Sequence, residues 1–225
     1  MLDARPRHFV YLSESKITAL FDQVPRMDLQ SIARSFTIDL KFLKADIGMP
    51  NKRPDTVYSK LKIVVEYLSR RSMIGSVDHP ADYFAESSLF MTWGPYGQAH
   101  FGPAIKDSPL VWFAANTQES ILGLGGSSSN LVGFPGDAPT HSHSATPILL
   151  NAIYEELEIP PPYSRSPSHR VDDWNLRAIE LAASQSQGTG QHLEFVAKRL
   201  LWGGSYRQPT KHVLLGTPLY VALAV

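Results

Sequence analysis

The end of the chain limits its architecture more than any other part. Val213 to Val225 is rich in β-forming residues and closes with LYVALAV, the longest apolar run in the sequence. A membrane helix needs roughly 20 consecutive apolar residues, so this run reads as a core strand. Short β-like runs upstream supply its expected neighbours: Met73 to Val77, Ser88 to Trp93, Leu110 to Ala115 and Ser120 to Leu124. The turn-forming stretches DHPAD, GPYG and ANTQ separate them, the signature of an antiparallel meander. Residues His192 to Leu201 fit both helical and strand periods. The strand reading is preferred, because WGGSYRQPT then serves as a long hairpin connection into the final strand.

Helical spacing dominates elsewhere. Phe9 to Leu12 is a short strand, after which Ser13 or Ser15 can cap a helix bearing Ile17, Leu20, Phe21 and Val24 up to Pro25. Leu29, Ile32, Ala33 and Phe36 form a second stripe, followed by an alternating strand at Ile38, Leu40 and Phe42. Asp55 can cap a third helix, with Leu61, Val64, Val65 and Leu68 facing inward. Thr146 before Pro147 marks another helix start, ended by Pro160 to Pro162 and a proline-rich exposed segment near 160–169. Asp172 or Asp173 can cap a last helix running to about Ala183, and QSQGTGQ reads as a mobile connection. Helices and strands without regular alternation predict an α+β fold, a central, mainly antiparallel sheet flanked by helices.

Composition narrows the functional classes. The 225 residues suit a single domain; 43% are hydrophobic and 19% charged, as in ordinary soluble proteins. Net charge is zero, so the basic field that attracts nucleic acid is absent. There is no cysteine, which excludes disulfides and thiolate chemistry and fits a reducing compartment. The N-terminal MLDARPRHFVYL lacks a signal-peptide pattern. These features together predict a cytoplasmic protein with neither a membrane nor a nucleic-acid partner.

The chemistry-bearing residues concentrate between Gly123 and Pro147. Within GLGGSSSN, the residues Gly125, Gly126, Ser127, Ser128, Ser129 and Asn130 offer backbone N–H groups, hydroxyls and an amide to a polar or anionic ligand. Gly123 to Asn130 resembles the phosphate loop of the galactokinase, homoserine kinase and mevalonate kinase superfamily, which implies nucleotide-phosphate binding at a helix N-terminus. Here Gly133, Pro135, Gly136 and Pro139 follow the loop and do not permit the long helix of that family. A tight turn whose glycines adopt positive φ is the competing reading.

His141 and His143 alternate with Ser142, so on an extended segment both imidazoles point the same way and could share a metal ion. No carboxylate stands between Ser144 and Asn151, so a third ligand, Asp137, His100 or His79, would have to come from the fold. A nucleophile among Ser127 to Ser129, with His141 or His143 as base and Asp137 as orienter, is a further arrangement that the sequence permits. Trp93, Tyr96, His100, Phe101, Trp112 and Phe113 are expected in the core, some of them flooring a pocket.

Over most of the chain, FVYLSESKITALFDQVP, LGLGGSSSNLVG, SHSATP and GTPLYVALA resemble a largely actinobacterial protein family of unknown function. That resemblance implies a bacterial origin and no catalytic residues. The leading expectation is a small-molecule binding or sensing module with its pocket under residues 123–143. The alternatives are a hydrolase or phosphate-handling enzyme using the same loop, and a subunit of a homo-oligomer or other protein assembly. No cofactor is assigned.

Overall fold

The computed structural model describes residues 7–35, 56–95, 110–133, 150, 153–154, 171–186 and 188–224. They fall into two compact units, one spanning residues 13–74 and the other residues 7–12 with 75–225.

The first unit is helical. Glu14–Phe21 forms α1, Arg26–Ser35 forms α2 and Val57–Arg70 forms α3. Ile17 and Phe21 on α1, Ile32 on α2, and Leu61, Val64 and Leu68 on α3 are buried, the faces that the helical spacing specifies. Thr56, one residue after the expected Asp55, caps α3: its Oγ1 accepts the Ser59 backbone N–H at 3.2 Å. Lys60 Nζ donates to Thr18 Oγ1, and Arg71 pairs with Asp28 at 2.9 Å. The strand expected at Ile38 to Phe42 lies outside the described residues.

The second unit is a closed barrel. The strands among the described residues are β1 (Phe9–Leu12), β2 (Ile74–Gly75), β3 (Tyr83–Pro95), β4 (Leu110–Asn116), β5 (Ser120–Ser127), β6 (Thr189–Gly204) and β7 (His212–Leu223). β3, β4 and β5 form the expected antiparallel meander. β6 pairs antiparallel with both β3 and β7, and β7 runs parallel to β5, so the ring β3-β4-β5-β7-β6 returns to β3. β1 adds to the free end of β7.

The expected mainly antiparallel sheet flanked by helices is therefore corrected to a mixed sheet closed on itself. Closure depends on pairs such as Tyr83 with Lys198, remote in sequence and invisible to local periodicity. Register shifts between Glu86 and Leu89, between Val196 and Ala197, and between Arg199 and Leu201 bend the long strands as bulges do.

Strand alternation sends two apolar layers to opposite faces of the wall. Val111, Phe113, Leu122, Leu124, Phe195 and Leu214 fill the interior, with Phe84 edge-on to Phe195 at 5.9 Å. Trp112, Ile121, Val213 and Leu215 face outward and are covered by Leu176, Ile179 and Ala182 of α4 (Val171–Gln185). Because α4 begins at Val171, Asp172 and Asp173 fall in its first turn, and the negative charge of Asp173 there complements the helix dipole. Leu150, Ile153 and Tyr154 are helical, as the Thr146-Pro147 start predicts. Ile153 and Tyr154 join the outer layer, and the Tyr154 hydroxyl donates to Asn175 Oδ1 at 2.5 Å.

Candidate functional site

One end of the barrel gathers the described part of the Gly/Ser segment. Gly125 and Gly126 lie in β5, opposite Trp112 and Val111 of β4, and are buried. They are wall residues, not the loop glycines that the sequence predicts. At Gly126 the lack of a side chain serves packing: a Cβ there would stand 2.5 Å from the Tyr11 hydroxyl and 2.7 Å from its ring. Among the described glycines the positive φ belongs to Gly133, at 79°.

The chain leaves β5 through a tight turn. Ser127 is extended, and its Oγ accepts the Ser129 backbone N–H and lies 2.8 Å from Ser129 Oγ. Ser128–Asn130 make one 3-10 turn, with the Leu131 N–H donating to the Ser128 carbonyl at 3.0 Å. Ser128 is buried, Ser127 and Asn130 are half-buried and Ser129 is exposed. Asn130 Nδ2 donates to the Tyr11 hydroxyl at 3.0 Å. Leu131 bridges to Tyr11, and the Val132 N–H donates to the Val10 carbonyl.

Below this rim the interior is aromatic. Tyr11 meets Phe113 edge-on at 6.1 Å, and Trp93 stacks on Phe113 at 5.7 Å with 21° between the planes. Trp93 Nε1 donates to Gln191 Oε1 at 3.1 Å. Beside this end, Arg7 pairs with Glu194. Burial, and after it the Glu194 charge, push the Tyr220 hydroxyl well above the ordinary tyrosine range, with Arg7 opposing, so the phenol stays protonated.

The structure thus brings Ser127, Ser129 and Asn130 to one barrel rim and adds Tyr11, which the sequence reading does not reach. Tyr11 and Asn130 are 119 residues apart, and no local signal joins them. Asp137, His141, His143, Tyr96, His100 and Phe101 lie outside the described residues, as does the proline-rich segment near 160–169. His79 is exposed in a turn where its N–H donates to Ser76 Oγ. Among the described residues there is no grouping of His, Asp and Glu able to hold a metal ion. No helix among them is long and apolar enough to cross a membrane.

The likeness of Gly123 to Asn130 to a kinase phosphate loop does not extend to a family assignment. No curated protein and no solved structure matches the chain. The family model described as "Family of unknown function (DUF7019)" matches residues 7–225, and the chain belongs to that family.

Proposed function

We propose that this protein is a cytoplasmic small-molecule binding or sensing module whose polar or anionic ligand docks at the rim formed by Ser127, Ser129 and Asn130. The supporting observation is the Asn130 amide held by Tyr11 beside the paired Ser127 and Ser129 hydroxyls, above an aromatic interior. A few placed polar groups beside apolar and aromatic side chains are the usual makeup of a small-ligand site. Gly126 supports the rim by admitting Tyr11 at close range, and Gly125 pairs with Trp112 of β4 in the wall beneath it. The absence of cysteine fits the reducing cytoplasm.

The test is thermal unfolding of the full chain with ATP, glucose 6-phosphate and glucose as probes, alongside native mass spectrometry for a copurified ligand. A saturable upward shift with a probe, or a copurified small molecule, that S127A/S129A abolishes is expected. Unfolding that no probe shifts and no copurified ligand, or a ligand retained undiminished by the double variant, overturns the reading.

A further inference from the structure

We infer that Arg177 forms a carboxylate-binding site at the opposite end of the barrel, where β6 passes into β7. Its guanidinium lies 3.4 Å from the centroid of the Tyr206 ring and 5.2 Å from that of Trp174. Stacking on a ring face uses the π surface of the guanidinium and leaves its in-plane N–H edge available. Among the described residues Arg177 has no hydrogen bond and no ion pair, although two carboxylates stand close along α4. Asp173, one turn earlier, does not pair with it. Glu180, three residues later, is 2% exposed and fully engaged. One Glu180 oxygen accepts Ser205 Oγ at 2.7 Å and the Arg207 N–H at 3.3 Å; the other accepts the Tyr206 N–H at 3.1 Å.

That arrangement fixes the turn carrying Tyr206, which fixes the plane of Arg177. An arginine held by rings presents a rigid fork that matches a carboxylate in two parallel hydrogen bonds. Tyr206 is 69% exposed, so the site opens to solvent. The same surroundings disfavour a phosphate dianion: the backbone N–H groups of Tyr206 and Arg207 already serve Glu180, and Asp173 and Glu180 add negative charge nearby. A protein acid and a free small carboxylate share the chemistry that remains.

The test follows the side-chain Nε–Hε resonance of Arg177, identified by its absence in R177K, by NMR of the full chain at constant ionic strength. The probes are sodium acetate, a glutamate-rich octapeptide and sodium phosphate. Saturable shifts with acetate or peptide are expected, with phosphate no tighter than acetate. Binding of the same probe, followed by tryptophan fluorescence, should weaken at least about tenfold in R177K, which keeps the charge and loses the planar fork. Y206L, which keeps the arginine and frees its plane, should weaken it as well. Tighter binding of the peptide per carboxylate assigns the site to a protein acid, and equal binding assigns it to free carboxylates. Shifts that fail to saturate, tighter binding of phosphate than of acetate, or unchanged affinity in R177K overturn the inference.

Discussion

Trp112 and Gly123 are diagonal neighbours on adjacent strands: the indole of one occupies the space where a side chain on the other would stand. Trp112 is 3% exposed and packs within the layer under α4, so its ring has little room to withdraw. Gly123→Ala should destabilise the protein by about 1–3 kcal/mol through overpacking. Trp112→Leu alone should also destabilise it, and the double variant should cost less than the sum of the two, because the smaller side chain admits the new methyl. Urea unfolding of the four proteins measures the coupling; strict additivity would disprove the steric account.

Glu180 should matter to the β6–β7 turn out of proportion to its single charge. Its carboxylate accepts two backbone N–H groups and one hydroxyl while itself buried. Glu180→Ala removes the acceptor of three part-buried donors, which water can reach only in part, at a total cost of about 1–3 kcal/mol. Glu180→Gln keeps one oxygen acceptor and should lose distinctly less. Hydrogen exchange at the Tyr206 and Arg207 amides separates the two: fast exchange in the alanine variant is expected, and native protection there would sink the assignment.

The helical unit and most strands were legible from local pattern, because apolar spacing encodes which face is buried. The strand reading of His192 to Leu201 holds, but β6 begins earlier, at Thr189, so part of the expected QSQGTGQ connection lies in the wall. Gly190 there pairs with Thr92. What sequence did not supply was the long-range partner. Gly123, Gly125 and Gly126 look like a flexible loop until Trp112 and Tyr11 are known to lie against the wall they form. The polar rim was half visible: Ser127, Ser129 and Asn130 announce hydrogen bonding, whereas Tyr11 reads only as part of a short strand. Arg177 looks like an ordinary helix-surface cation until the hairpin carries Tyr206 onto it.

Two helix starts in the helical unit should respond oppositely to loss of a hydroxyl. Thr56 makes a capping hydrogen bond to the Ser59 N–H, so Thr56→Ala should cost roughly 0.5–2 kcal/mol. Ser13 stands at the N-cap position of α1, yet makes no capping bond, and its buried Oγ lacks a hydrogen-bond partner among the described residues. Ser13→Ala should therefore be neutral or stabilising by up to about 1 kcal/mol, since it removes an uncompensated desolvation. Equilibrium unfolding of both variants is the measurement, and equal losses would show that Ser13 is a working cap.

Lys16 should give the protein an alkaline rise in stability. Burial lowers its folded-state pKa from 10.5 to about 8, because desolvation disfavours the charged ammonium. Below pH 8 the folded and unfolded chains both hold the proton, and the folded state carries the cost of desolvating the ammonium. Between about pH 8 and 10.5 the unfolded chain still binds that proton while the folded chain has released it, so the contribution of this group rises with pH. The slope from one proton is at most about 1.4 kcal/mol per pH unit, and it ends once both states are neutral. Lys16→Met removes the titration, so the difference in unfolding free energy between that variant and the native protein should be largest near pH 7 and shrink steadily toward pH 10.5. A difference that stays constant across that range would show that Lys16 keeps its ordinary pKa in the folded protein.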